Sequence, residues 1–312
     1  LRSEKLYYRP KKEREPIDFL SKKKVFFTIS LVLIAAGVIT IGVNAGRGKG
    51  AFAYSLEFQG GTSTNVTFDK DYSIDEIDKE IVPVVEKVTG DNNVQTQKVA
   101  GTNQVIIKTV TLDLDKREAL NKAMVDNFGV DESKITAENI SSTVSNEMRR
   151  DAVIAVVIAT ICMLLYIWFR FKDIRFATSA VLALLHDVLV VVGFYAIARI
   201  SVGNTFIACM LTIVGYSINA TIVIFDRIRE EMRGKTKSSD VAAVVNKSIT
   251  QTLTRSIYTS LTTFIMVAVL YVMGVSSIKE FALPLMVGVV CGAYSSVCIT
   301  GALWYVMKRF KK

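Results

Sequence analysis

The stretch LTIVGYSINATIVIFDRIRE, residues Leu211–Glu230, decides the fold of this chain. It overlaps a run of about twenty largely apolar residues, Phe206–Phe225, which is long enough to cross the hydrocarbon core of a bilayer. Charged residues follow together from Asp226, so the predicted helix leaves the lipid there. Polar side chains inside such a run cost free energy unless they face other helices or water. Those side chains are Tyr216, Ser217 and Asn219.

The composition of the whole chain indicates a membrane protein with several spans. Of its 312 residues, 51% are hydrophobic and 21% are charged, and the mean hydropathy is +0.36. This is too apolar for a soluble protein. The single histidine and four cysteines show no CxxC or other metal-ligand spacing, so we expect no metal and no cofactor. Six apolar runs predict six spans: Val25–Val43, Ala152–Phe169, Phe176–Ala198, Phe206–Phe225, Leu253–Val272 and Phe281–Met307.

The distribution of lysine and arginine predicts the orientation of the spans, because cytoplasmic loops carry an excess of both. There are 9 such residues in the tail 1–24, 3 in the turn 170–175, 7 in 226–255 and 4 at the C-terminal end. The turns near Ser201 and Ser276 are nearly neutral. We therefore expect both termini in the cytoplasm and the long polar segment after the first span on the outer side.

The predicted domain organisation follows from these spans. We expect a cytoplasmic tail 1–24, a first transmembrane helix 25–43, an extracytoplasmic α+β domain 44–150, and a five-helix transmembrane region 151–312 with a cytoplasmic loop 226–252 and a basic C-terminal tail. Because the chain begins with Leu1, we also expect a processed or truncated chain or a piece of a longer fusion.

The outer segment predicts a compact α+β domain of ferredoxin-like type. Ser73 and Glu76 have the spacing of a capping box at the start of a helix, and Gly129 ends a second helix, Asp115–Phe128. The strands expected around them, in the order ββαββαβ, are Tyr54–Phe58, Thr62–Phe68, Val94–Val99, Gln104–Val110 and Ile135–Ile140. The segment has no histidine, and we expect its acids on solvent-facing surfaces. The sequence therefore predicts no catalytic site there.

Charged residues inside the apolar runs are the candidates for function. Asp187 lies near the middle of the third span, where a carboxylate is costly and marks a functional site by default. Its neighbour His186 is either functional or a hydrogen-bonding group between helices. Because neighbours on a helix are about 100° apart, we do not expect both to face one partner. Arg255, near the start of the fifth span, is either a membrane-edge anchor or the partner of a buried acid. Residues 231–252 predict an amphipathic segment, on the membrane or against a partner helix.

Several separate stretches resemble the SecF proteins of the SecD/SecF family, which belongs to the RND-type transporter superfamily. The first is LEFQGGT after the first span, with Glu57, Phe58, Gly60, Gly61 and Thr62. The others are Arg170–Phe176, Ala183–Asp187, Gly215–Glu230 and Gln251–Ser256. Together with the six-span layout, the resemblance covers nearly the whole chain. The small outer domain resembles SecF more than the larger paralogue SecD.

The resemblance implies a fold and a set of partners. It implies an α-helical membrane protein, one RND-type half of six transmembrane helices, with a small ferredoxin-like extracytoplasmic domain between spans one and two. Such a half pairs with SecD in the bacterial cytoplasmic membrane and assists preprotein translocation through the SecYEG channel, using the proton-motive force. YajC and YidC are further implied partners beside membrane lipids, whereas nucleic acid is not. The resemblance implies a proton path through position 220 and Arg255, and the further candidates for it in this sequence are Asp187, His186, Asp226, Tyr216 and Asn219.

The chain departs from the family pattern at Ala220. The resemblance implies an aspartate at this position, in a proton path with Arg255, and alanine cannot bind a proton. Either another acid takes its role, with Asp187 and Asp226 the nearest, or Ala220 is an introduced substitution.

Three alternative functions can be compared with the one that the resemblance implies. A half-size RND-type exporter of small apolar molecules or lipids would share the six spans but needs a larger outer domain. An enzyme such as an intramembrane protease is disfavoured, because the sequence has one histidine and neither HExxH nor GxSxG. The third alternative is a scaffold for SecD, in which proton conduction is lost at Ala220.

Overall fold

The computed structural model describes residues 15–47, 50–91, 94–99, 101–171, 173–233, 240–273 and 276–309. In chain order its elements are α1 (Lys23–Gly46), β1 (Ala53–Tyr54), α2 (Leu56–Gln59), β2 (Gly61–Thr67), α3 (Ile74–Glu76), α4 (Val82–Thr89), β3 (Gln95–Lys98), β4 (Gln104–Thr109), α5 (Leu114–Phe128), β5 (Ile135–Ile140), α6 (Ser142–Phe171), α7 (Ile174–Ala198), β6 (Ser201–Val202), α8 (Asn204–Met232), α9 (Val241–Met273), α10 (Ser276–Tyr294) and α11 (Gly301–Arg309). Two π-helical segments, Ile77–Ile81 and Ser295–Thr300, join α3 to α4 and α10 to α11.

Six helical stretches of the described residues are long and apolar enough to cross a membrane, as the sequence predicts. They are Lys23–Gly46, Ser145–Phe171, Ile174–Ala198, Asn204–Met232, Val241–Met273 and Ile278–Arg309. The third, fourth and sixth are the most buried, whereas the first, second and fifth bury about a tenth of their residues or less. The more buried helices therefore form the centre of the membrane region.

The outer domain has the ferredoxin-like fold that the sequence predicts. Its antiparallel sheet has the strand order β3-β4-β2-β5, and the π-helical segment Ile77–Ile81, α4 and α5 supply the apolar side chains that cover it. The alternation along β4 places Val105 and Ile107 in the core. The helices begin and end as expected: Ser73 and Glu76 form a capping box, and Gly129 adopts the left-handed conformation (φ 67°) after α5.

The first predicted strand of this domain, Tyr54–Phe58, is wrong. The strand β1 stops at Tyr54, and the chain then turns into the short helix α2. β1 pairs in parallel with β6, in the turn between α7 and α8, and not with the domain sheet. The reason is that Phe58 is buried with Val202 in the membrane-region core, which draws this segment away from the sheet. The order of the domain sheet is therefore βαββαβ.

A second expectation for the outer domain, that all its acids face solvent, is wrong for Asp91. This residue is buried, and its Oδ2 accepts a hydrogen bond of 2.8 Å from the Val110 backbone N–H. Asp91 therefore holds the end of β4 against the chain that follows α4, which is a structural role.

The membrane helices are packed closely enough to require glycine at one crossing. A Cβ built on Gly193 of α7 would come within 2.8 Å of Gly37 Cα on α1, which real Cβ atoms essentially never do. The charged end of the bundle is filled by aromatic rings instead. There the Phe176 ring stacks on Trp304 at 4.8 Å and meets Phe225 edge-on at 4.7 Å.

The amphipathic segment predicted at 231–252 is not a separate surface helix. From Val241 onward it is the beginning of α9, which continues into the fifth span without a break. Its apolar face, including Val245 and Ile249, packs into the same core as α7 and α8. The partner helices are thus in its own chain. Residues 234–239 of the prediction lie outside the described part of the structure.

Candidate functional site

A carboxylate lies at the centre of the membrane helices. Asp187 on α7 has no exposed surface. Its Oδ2 accepts hydrogen bonds from the Ser217 hydroxyl of α8, at 2.6 Å, and from the Ser295 hydroxyl of the π-helical segment, at 2.7 Å. Its Oδ1 lies 3.3 Å from Cys291 Sγ on α10. One carboxyl group therefore joins three parts of the helical bundle.

His186 belongs to the same cluster, although the helical spacing predicts otherwise. Its Nδ1 lies 2.9 Å from Asp187 Oδ1 and 3.9 Å from Cys291 Sγ, so both neighbours face the one thiol. The prediction fails because it considers only the directions of the Cα–Cβ bonds, whereas the imidazole ring reaches back to the adjacent carboxylate. His186 Nε2 is buried and has no hydrogen-bond partner among the described residues.

The aromatic neighbour of His186 ties the cluster to α1. The Tyr294 ring centroid lies 6.2 Å from that of His186. Its hydroxyl donates a hydrogen bond of 2.8 Å to the Phe26 carbonyl and lies 3.5 Å from the Ser30 hydroxyl. The polar groups around Asp187 therefore extend from α7 through α10 to the first membrane helix.

The nitrogen, oxygen and sulfur atoms of His186, Asp187 and Cys291 lie within 4.8 Å of one another, a distance at which such groups can also hold a metal ion. Here the carboxylate already receives hydrogen bonds from two hydroxyls and faces a thiol and an imidazole. Each of these groups can donate a hydrogen bond to it. The carboxylate oxygens are thus hydrogen-bonded within the cluster, whereas His186 Nε2 has no partner among the described residues.

Arg255 and Ala220 belong to a second, smaller site. Both line a cavity of about 50 Å³ between α8 and α9, together with Tyr216 and Asn219. Ala220 is half-buried, whereas Asn219 and Arg255 are exposed. The guanidinium of Arg255 has no hydrogen-bond or ion-pair partner within the described ranges. Four of the residues singled out from the sequence thus lie together around this cavity, apart from the Asp187 cluster. They are Tyr216, Asn219, Ala220 and Arg255.

Asp226 lies in neither site. Its carboxylate forms an ion pair of 2.9 Å with Arg170 at the charged end of α8, and both side chains are about 40% exposed. This pair joins α8 to the end of α6 at the level where both helices leave the apolar region.

The outer motif LEFQGGT forms the junction between the membrane region and the outer domain. Phe58 packs into the membrane-region core, and Gly60 and Gly61 have positive φ angles of 74° and 141° at the turn into β2. Thr62 Oγ1 accepts a hydrogen bond of 2.8 Å from the Leu112 backbone N–H. The side chain of Glu57 lies outside the described part of the structure. The described residues of this motif thus connect the membrane-region core, through Phe58, to the domain sheet, through Thr62.

Sequence reasoning missed Cys291, Tyr294 and Ser295 as members of the buried cluster. Cys291 and Ser295 are four positions apart, a spacing that places both on one face of a helix. That spacing is a weak signal, because small residues are common wherever membrane helices pack.

Six apolar helices, an inserted ferredoxin-like domain and a buried polar cluster define a multi-pass membrane protein. A family model described as "Protein export membrane protein SecD/SecF, C-terminal" matches residues 120–310. The chain belongs to this SecD/SecF family, as the sequence resemblance indicates.

Individual relatives agree with this assignment. The chain is 36% identical to the protein translocase subunit SecF of Petrotoga mobilis, over 95% of this chain and 98% of that one. It is also 36% identical to the protein translocase subunit SecDF of Bacillus subtilis, of which it covers 38%. These names favour protein export over the half-size exporter.

The solved structure of a SecDF from Thermus thermophilus, described as a translocon-associated membrane protein, has the same fold. It matches 95% of this chain with a TM-score of 0.79 and 30% sequence identity. This chain spans 39% of the length of that SecDF chain.

Proposed function

We propose that the chain acts as the SecF subunit of protein export, paired with SecD, and assists preprotein translocation through the SecYEG channel with energy from the proton-motive force. Its relatives are named as subunits of a protein translocase, and SecF and SecD are parts of one chain in the SecDF proteins. YajC and YidC are proposed as further partners. The observation that carries the proton coupling is the fully buried carboxylate of Asp187.

The chemistry of Asp187 supports a two-state role. An ionised carboxylate only accepts hydrogen bonds, whereas a protonated one also donates one. Loss or gain of the proton therefore changes which of the hydroxyls of Ser217 and Ser295 can donate to Oδ2. The titratable groups that face the carboxylate are His186 and Cys291, with Tyr294 beside the imidazole. Protonation would thus alter the contacts among α7, α8 and the π-helical segment.

The exposed polar face around Arg255 supports the pairing with SecD. A charged guanidinium and the Asn219 amide are costly at membrane depth when they face lipid. A second six-helix half would cover both, with its own acid opposite Arg255. We propose that both termini are cytoplasmic and that the ferredoxin-like domain lies outside, where movement of this domain would act on the emerging preprotein.

The test places the chain with a SecD partner in inverted membrane vesicles and follows the completion of preprotein translocation with and without a proton gradient. We expect Asp187→Asn to remove most of the gradient-dependent stimulation, because asparagine cannot bind or release a proton there. Asp126→Asn on the exposed surface of the outer domain is the matched control and should behave as the parent chain. Equal stimulation in all three proteins rejects Asp187 as the coupling acid, and no stimulation by the parent chain rejects the proposed function.

A further inference from the structure

An open cavity lined by arginine lies at the charged end of the membrane helices. Its volume is about 500 Å³, and it is formed by the ends of α6 and α8 and the part of α9 around Arg255. The arginines that line it are Arg170, Arg227, Arg229, Arg233 and Arg255. The acids in the lining are Asp226 and Glu230.

The two acids are already neutralised by two of the arginines. Asp226 pairs with Arg170 at 2.9 Å, and Glu230 pairs with Arg227 at 2.6 Å. Arg227 also contacts Glu231 at 3.1 Å. Both pairs are formed within the protein, so the remaining arginines set the charge that the cavity presents to a ligand.

Three guanidinium groups are left in excess. Among the described residues, Arg229 Nη1 donates only to the backbone carbonyl of Arg170, at 3.3 Å. Arg233 and Arg255 have no side-chain hydrogen bond or ion pair with any residue that the structure describes. The cavity thus carries about three uncompensated positive charges, a count that follows from arginine remaining protonated in proteins.

The cavity is level with the boundary of the apolar region. α8 changes from apolar to charged between Phe225 and Asp226, and both line or adjoin this end of the bundle. On α6, Trp168 and Phe169 are 57% and 78% exposed immediately before Arg170. Exposed aromatic rings of this kind sit at the level of lipid headgroups. An anion held at this depth is therefore within reach of a lipid phosphate.

We propose that this cavity binds the phosphate group of an anionic phospholipid such as phosphatidylglycerol. The planar guanidinium group matches phosphate with paired N–H donors, and basic pockets between membrane helices bind anionic headgroups. The lipid phosphate would pair with Arg229 and Arg233, the two arginines of the cavity that lack a carboxylate partner among the described residues and are not assigned to the contact with SecD. The inference depends on membrane insertion alone and does not rest on the proposed export function.

Native mass spectrometry of the purified chain tests the assignment. The protein is released from detergent micelles doped with equal amounts of phosphatidylglycerol and phosphatidylcholine, and the lipids retained are counted. We expect phosphatidylglycerol to be retained in preference. Each of Arg229→Gln and Arg233→Gln should weaken its retention about fivefold, which corresponds to about 1 kcal/mol per basic side chain near a membrane surface. Circular dichroism confirms that each variant is folded.

Arg309→Gln is the matched control, because it removes the same charge from the end of α11 and does not line the cavity. It should retain phosphatidylglycerol as the parent chain does. An equal loss with Arg309→Gln would mean that net charge alone attracts the lipid, and equal retention of both lipids would mean that the cavity does not select phosphate charge. Inorganic phosphate is the competing arm: displacement of the lipid by inorganic phosphate at equal concentration would assign the cavity to a soluble anion. Each of these three results overturns the proposal.

Discussion

The Ser217 hydroxyl on α8 donates a hydrogen bond of 2.6 Å to Asp187 Oδ2 on α7, between residues that are 30 positions apart. Neither residue is more than 2% exposed. A buried carboxylate is stable only when its oxygens are hydrogen-bonded. This contact therefore fixes the separation of the two central helices at the depth of the carboxylate.

We expect Ser217→Ala to destabilise the protein by about 1–3 kcal/mol, because it removes a donor from a buried acceptor. Thermal unfolding in detergent measures this effect. Ser179→Ala is the control, since the Ser179 hydroxyl is equally buried but bonds only to the Arg175 carbonyl of its own helix. Equal destabilisation by both changes would contradict a special role for the Ser217 contact.

We expect Ala220→Asp to place a carboxylate in the small cavity that Arg255 lines. If the proton path runs through this cavity, the variant should gain proton-gradient-dependent stimulation of translocation in vesicles with SecD. Ala220→Asn supplies a side chain of the same size without a titratable group. A parent chain that responds as strongly as the aspartate variant would instead assign the coupling to another acid, with Asp187 first.

Arg255→Met should abolish most of the gradient-dependent stimulation while membrane insertion is retained, because it removes the cation that we propose faces an acid of SecD. The measurement is the same vesicle assay with equal amounts of inserted protein. Arg255→Lys keeps the charge and should preserve part of the activity. Full activity of the methionine variant would leave Arg255 as an anchor at the membrane edge.

Gly193→Ala should destabilise the chain by about 1–3 kcal/mol, the usual cost of overpacking, since the new Cβ would meet the Gly37 backbone of α1 at 2.8 Å. Thermal unfolding in detergent again gives the magnitude. Gly215→Ala is a suitable control, because a Cβ at Gly215 meets nothing within 4 Å. An unfolding temperature that is unchanged by Gly193→Ala would show that α1 moves aside easily.

Asn246→Ala should release the segment before α1 from α9. The Asn246 amide oxygen accepts from the backbone N–H groups of Phe19 and Leu20, each at 3.2 Å, and its nitrogen donates to Asp18 at 2.8 Å. Hydrogen exchange of the Phe19 and Leu20 amides is the measurement, and it should become faster. Asn246→Asp keeps the acceptor oxygen and should retain more of the protection; equal exchange in the parent and the alanine variant would refute the contact.

The same contact has a pH dependence with a definite sign. Hydrogen bonds from the Ser21 backbone and hydroxyl and from Asn246 lower the pKa of Asp18 below its ordinary value of 3.8. A carboxyl group whose pKa is lowered in the folded state stabilises that state above its unfolded pKa. The protection of the Phe19 and Leu20 amides from hydrogen exchange should therefore persist as the pH falls to about the ordinary pKa of Asp18, and it should decline only at lower pH.

The sequence predicts the six spans and most of the outer domain, because the length and periodicity of apolar runs and the presence of capping residues can be recognised locally. It also singles out Asp187, since a carboxylate inside an apolar run is rare. It does not predict Ser295 or Cys291 as partners, because they are more than a hundred residues away and only helix packing brings them to Asp187. The failure at Tyr54–Phe58 has the same origin: extended residues do not specify which strand they will pair with.

The parallel pairing of β1 with β6 joins the segment that leads into the outer domain to the turn between α7 and α8. Ser55 N donates to the Val202 carbonyl at 3.0 Å, and Val202 lies in the turn between the helix that carries Asp187 and the helix that carries Ser217. A change in the distance between Asp187 and Ser217 would therefore act on the turn to which the chain entering the ferredoxin-like domain is hydrogen-bonded.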